Sequence, residues 1–158
     1  MPASYPGAVK SFTTKVNGVD APDANHINDL QLEVEAIETD LRKLPIDYSA
    51  ISTIVGWSSF TMKILSYLQL GKLVFVEFHL AGTSNSATTT ITLPFAVPTG
   101  LDLHELGYAV DNGGAAVVGK LYLTGSTLSF APTVNGAFNG WTASGTKVVR
   151  GSIFYLRA

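Results

Sequence analysis

Cysteine is absent from the 158 residues, which removes disulfide scaffolds, thiol chemistry and cysteine-type zinc sites together. Net charge is nearly absent too: ten Lys and Arg against twelve Asp and Glu leave a formal −2. That is too little for a chain built to neutralise phosphates, so nucleic acid is not an expected partner. No apolar run approaches the roughly 18 residues of a spanning helix, so the mean hydropathy of +0.27 reads as core and no membrane insertion is expected. Met1-Pro2-Ala3-Ser4-Tyr5-Pro6 lacks the basic and apolar regions of a signal peptide. The length suits one domain plus a short appendage.

Charge is unevenly spread. Residues 1–56 hold eight acids and four bases, whereas residues 57–158 hold four acids, six bases, 12 of the 15 glycines and 21 Ser or Thr. A surface wetted by hydroxyls and backbone is common among all-β folds. The first part opens with Pro, Gly and a short β-like stretch from Val9 to Val16, closed by the turn signal Asn17-Gly18. Asp20-Ala21-Pro22-Asp23 then offers an acidic cap and a proline in a first helical turn. The spacing predicts a helix from about 21 to 44, ended by Pro45.

Along that helix the apolar residues Ile27, Leu30, Val34, Ile37, Leu41 and Leu44 step by three and four, a heptad seam with Ile27, Val34 and Leu41 at a and Leu30, Ile37 and Leu44 at d. The stripe is narrow, as in a coiled coil, although over so short a span a single helix lying on its own domain gives nearly the same period. The mixed a and d residues do not choose between two and three strands. At about 1.5 Å per residue the helix is roughly 35 Å long, too short to pair stably unless a neighbouring domain helps.

The remainder reads as about eight strands, near 60–69, 72–81, 88–93, 105–111, 115–124, 127–131, 134–141 and 147–157, separated by Gly- and Asn-rich turns. Such regular spacing with no second helix predicts a β-sandwich or barrel. Val74, Val76, Phe78 and Leu80 make one apolar face of the second strand, while the other carries Leu73 and Phe75 beside Glu77 and His79. A strand apolar on both sides needs cover on both sides, which marks Leu73 and Phe75 as candidate inter-subunit residues.

Catalytic chemistry is sparse. Gly114-Ala115-Ala116-Val117-Val118-Gly119-Lys120 has phosphate-loop spacing, but Leu121 stands where Ser or Thr should hold magnesium, and a strand follows in place of a helix. His26, His79 and His104 fall in different elements with no ligand spacing. No nucleophile elbow and no His-Glu-x-x-His is present. No enzyme activity, cofactor or metal is expected. Trp141, set between Asn139-Gly140 and Thr142-Ala143-Ser144-Gly145, is the best candidate for an exposed aromatic platform, and with Asn139 for a glycan contact.

Residues Tyr5-Pro6-Gly7-Ala8-Val9-Lys10-Ser11-Phe12-Thr13-Thr14-Lys15-Val16-Asn17-Gly18-Val19-Asp20, with Ala24–Gln31 and Glu35–Glu38, resemble the N-terminal module of tailed-bacteriophage fibre and appendage proteins. Gly71–Ser86 with Leu93-Pro94-Phe95 resembles the β-structured C-terminal module of such virion proteins. Together these stretches cover 47 of the 158 residues. The resemblance implies a homotrimer on the virion surface, as a short head fibre, decoration spike or tail fibre. Residues 1–19, with Val9, Phe12 and Val16, would attach to a capsid or tail protein, and 20–45 would form the coiled coil. Residues 46–56 would be a linker, and 57–158 a jelly-roll-like β-sandwich knob open to host surface glycans. The alternative is a monomeric carbohydrate-binding β-sandwich module.

Overall fold

The computed structural model of the chain describes residues 24–99, 103–134, 137–138 and 140–158. The molecule is mainly β with one helix, and divides into two compact units at Leu44/Pro45. In the first unit, helix α1 spans Ala24–Leu41. The α-type bond from Arg42 N–H to Glu38 O extends it by one residue, and Lys43 N–H turns back to Asp40 O. The helix thus stops short of the expected end at 44, and Pro45, which has no N–H to give, could not have continued it. The expected cap at Asp20–Asp23 lies outside the described residues.

The second unit holds ten strands: β1 Ile46–Asp47, β2 Ile54–Val55, β3 Trp57–Leu70, β4 Leu73–Ser84, β5 Thr90–Thr92, β6 Leu103–Asp111, β7 Val117–Thr124, β8 Thr127–Val134, β9 Ala137–Phe138 and β10 Thr146–Leu156. All pairings are antiparallel, in the order β1-β3-β4-β10-β6-β7-β8-β5-β2, with β9 added beside β8. Seven of the eight expected strands appear at or near their places; in 134–141 the described residues show the end of β8 and the two-residue β9. The expected phosphate-like run 114–120 is the entry to β7, with Leu121 inside the strand. The residues read as linker, 46–56, supply β1 and β2.

The expected pair of stacked sheets is replaced by one curled sheet. β4 and β8 stand four positions apart on the path, on the order of 19 Å in a flat sheet at about 4.8 Å per strand. Yet the rings of Phe78 on β4 and Phe130 on β8 meet edge to face at 6.1 Å, which requires the sheet to roll. The core is what the rolled face encloses: Leu65, Val74, Val76, Phe78, Leu80, Ile91, Leu121, Leu123, Leu128, Val149 and Ile153 are nearly or wholly inaccessible. Rolling to this radius leaves no room for side chains at three inward positions. A Cβ on Gly107 would stand 2.8 Å from Phe130 Cε2, one on Gly151 2.7 Å from Phe78 Cζ, and one on Gly119 would strike the Phe130 ring.

Candidate functional site

Strand alternation sends every second residue of the rolled sheet outward, and the outward rows are unusually apolar. Leu70, Leu73 and Leu156 are opposed across β3, β4 and β10, and Leu68, Phe75 and Phe154 form the next row. The Phe75 and Phe154 rings lie 4.6 Å apart. A five-strand row follows, Ile64–His79–Arg150–Tyr108–Val118, and beyond it Met62, Ala81, Val148 and Val110. Phe154 is 58% exposed and Leu106 66%, while Met62, Ile64, Leu73, Leu156, Tyr108 and Val118 are exposed as well. Isolated exposed leucines are ordinary, but a contiguous field of this kind marks an interaction surface.

Polar groups in the field are few. Glu77 stands between Ser66 and Ser152, and Arg150 lies across from His79 and Tyr108. Arg150 Nε donates to His79 Nε2 at 2.8 Å, so that nitrogen is the acceptor and the imidazole is neutral. Partial burial first, and the Arg150 guanidinium second, hold His79 below the usual imidazole range. The guanidinium carbon also lies 5.6 Å from the Tyr108 ring centre. Phe75, Glu77, His79, Leu106, Tyr108 and Arg150 border a hollow of about 570 Å³.

Helix α1 presents a second apolar surface. Ile27, Leu30, Val34, Ile37 and Leu41 are 40% to 63% exposed, whereas Asp29, Glu33 and Asp40 are buried; Leu44, 80% exposed, lies past the end of the helix, so the seam expected to run to Leu44 stops at Leu41. The buried acids fall on the c and g positions of the heptad, beside the half-buried His26 and Ala36. Asp40 is paired to Lys43. Within one chain the helix therefore shelters its polar stripe and leaves its a/d seam open.

Leu73 and Phe75 both belong to the apolar field, as the sequence suggested. Its larger part, on β10 and β6, was missed. Phe154 and Leu156 alternate with Ile153 and Tyr155, so β10 reads simply as apolar until its register beside β4 is known. Trp141 is corrected: it is 4% exposed, packed on Phe130 at 5.8 Å with its Nε1–H on Phe130 O at 2.8 Å. Its backbone N–H binds Ala87 O, so the loop-like segment is stitched to the β4–β5 loop and the ring becomes core. Asn139, Val9, Phe12 and Val16 lie outside the described residues.

Lys147 was not singled out from sequence. It is fully buried, and its ammonium donates to Gly56 O and Ser86 O at 3.0 Å and to Thr89 Oγ1 at 3.1 Å. The Trp57 and Trp141 rings flank it at 5.1 and 5.0 Å. Burial depresses its pKa to about 8, against the opposing pull of Asp111. All three protons are spent on the fold, so the group staples the roll. One further hollow, of about 480 Å³, is bordered by Thr88, Thr90, Lys120, Tyr122, Ser129 and Trp141 between β5, β7 and β8. Among the described residues no three His, Asp or Glu side chains converge as a metal site requires.

The fold and its surfaces thus define a mainly β protein headed by one amphipathic helix, with an open seam on the helix and an apolar field on the sheet. No protein-family model, curated protein or solved structure matches the chain.

Proposed function

We propose that the chain is a non-catalytic structural protein of a phage virion, a short homotrimeric fibre or decoration spike at the particle surface. Residues 1–19 anchor it to a capsid or tail protein, three copies of α1 join along the seam, and the β unit points outward. The observation that carries this reading is the exposed seam. A helix that hides Asp29, Glu33 and Asp40 while exposing Ile27, Leu30, Val34, Ile37 and Leu41 forgoes most of the apolar burial available to it. Packing the a and d residues of other copies against that seam recovers it. The attachment role and the number three rest on the resemblance to phage appendage proteins.

Light scattering during size exclusion tests the assembly. One chain weighs 16.7 kDa, so a trimer weighs about 50 kDa; Ile37→Asp, which puts a charge in the seam, is expected to lower that mass. An unchanged monomer mass for the native chain overturns the reading. Particles grown with a copy lacking residues 1–19 should carry none of it by immunogold labelling; labelled particles would remove the anchor assignment.

A second reading, a monomeric carbohydrate-binding module, is favoured by the hollow of about 480 Å³, where hydroxyls, Lys120 and Tyr122 border a space of ligand size. It predicts a 16.7 kDa species and saccharide affinity by calorimetry that Tyr122→Ala weakens. The same hollow would serve host glycans in a trimeric spike.

A further inference from the structure

We propose that the outer face of β3, β4, β10 and β6 is a second, independent self-association surface, on which the β units of neighbouring copies pack with Arg150 of one copy against Glu77 of the next. The inference deepens the oligomeric reading above and draws on it for the closeness of the copies, but the surface is argued from the β unit alone.

An antiparallel sheet with one solvated face alternates apolar inward and polar outward. Here the inward half obeys and the outward half does not. Of the outward residues on β4 and β10, Leu73, Phe75, Phe154, Leu156 and Val148 are large and apolar, and β3 and β6 continue the rows with Ile64, Met62, Leu106 and Tyr108. Four strands at about 4.8 Å and eight residue steps at about 3.4 Å give a face on the order of 500 Å². That approaches the roughly 800 Å² each partner contributes to a stable interface, before side-chain relief is counted. Around a three-fold axis a single face of this kind is shared with both neighbours, which suits one contiguous patch better than two.

The charges select the occupant. A partner of strong net charge would be met by a field of the opposite sign. Among the described residues of β3, β4, β10 and β6 this field holds one carboxylate, Glu77, and one guanidinium, Arg150, with Asp47 and Lys120 at its borders, so its charges balance, and a second copy of the chain presents the same groups in return. Within the chain Arg150 is held by a neutral imidazole and a phenol ring, and among the described residues no carboxylate lies within ion-pair distance of it. Glu77 stands two residues from His79 on the same face. The pair is therefore complementary between copies and unused within one. His79 keeps the guanidinium extended and in place, and the Phe75–Phe154 stack supplies the apolar centre beside it.

The experiment uses residues 45–158, which hold a complete core of their own, in sedimentation velocity from about 5 to 500 μM. The expected result is reversible association, its mass rising with concentration toward three copies. Phe154→Glu, at an exposed position that leaves the core untouched, should weaken it at least tenfold, with thermal unfolding at the lowest concentration unchanged. Arg150→Glu and Glu77→Arg should each weaken association, and the combined Arg150→Glu/Glu77→Arg swap should restore it. A β unit monomeric at every concentration, or a swap that restores nothing, overturns the proposal. Failure of the coiled-coil reading is distinct, since it shows in the full chain as indifference to Ile37→Asp.

Discussion

Lys147 Nζ lies 5.1 Å from the centre of the Trp57 ring, inside the apolar roll. The cation is tolerated there because it is fully paid in hydrogen bonds: Gly56 O, Ser86 O and Thr89 Oγ1 take its three protons. Gly56 lies at the junction before β3, and Ser86 and Thr89 both lie in the loop joining β4 to β5, so a single side chain ties β10 to two separate segments. Lys147→Ala removes one donor from each of the three acceptors, leaving Gly56 O with Asn85 N–H and Ser86 O with the Ser84 hydroxyl, and opens a cavity between two indoles. The expected loss is about 3–5 kcal/mol, read by urea unfolding, with a lower midpoint at constant slope.

The same lysine gives stability an unusual pH profile. Its pKa falls from 10.5 unfolded to about 8 folded. Between those values the unfolded chain binds more protons, so stability rises with pH from about 8 to 10.5, by at most about 3 kcal/mol. Two phenols oppose this at higher pH. Burial raises the pKa of Tyr155 to about 12 and that of Tyr48 further still; above pH 10 the unfolded chain loses these protons first, so stability falls. Urea midpoints measured between pH 7 and 11.5 should pass through a maximum near pH 10, and Lys147→Met should remove the rising limb alone.

Gly119 and Gly125 separate two reasons for glycine. At Gly119 a methyl would strike the Phe130 ring from beneath, and no flexible end can yield, since the ring is wedged against Phe78 and Trp141. Gly119→Ala should cost about 2–4 kcal/mol. Gly125, in the β7–β8 turn, has open space around it but a φ of +58°. Gly125→Ala should cost only about 1 kcal/mol. Equal losses in paired thermal melts would remove the steric account of Gly119.

Trp141→Ala is expected to act on stability. The ring is enclosed, its N–H is committed to Phe130 O at 2.8 Å, and it closes one side of the Lys147 cage. A loss of about 3–5 kcal/mol in equilibrium unfolding is expected. A variant as stable as the native protein would return the ring to the surface.

The strands were legible because their alternation and their Gly- and Asn-rich turns are local signals. Val74, Val76, Phe78 and Leu80 do form the core side of β4. What stayed hidden was pairing. β10 inserts between β4 and β6, more than sixty residues from its first neighbour along the chain, and no local pattern encodes that. The roll followed from it, and with the roll the fate of Trp141: turn-like neighbours suggested exposure, whereas one backbone bond to Ala87 O and one indole bond to Phe130 O drew the ring inside. Lys147 was passed over because lysines are rarely buried. The helix seam was plain from spacing, but not the burial of the acids beside it, because a carboxylate on a helix reads as solvated by default.

β1 pairs with β3 at one end of the sheet and β2 pairs with β5 at the other, yet only six residues separate Asp47 from Ile54. One short segment thus buckles both free edges of the roll. On the first edge β1 covers only Ser66 and Tyr67 of the 14-residue β3, so the buckle ties that edge without capping the rest of its ladder. The buckle also has an order of operations: made near the start of the unit, it can fasten only once the strands that follow have paired and curled, so closing belongs to the end of folding. Its tip carries Ile51, 85% exposed, and a single proteolytic nick there would cut the direct covalent link between the two edge strands while leaving β2 joined to β3 through Gly56.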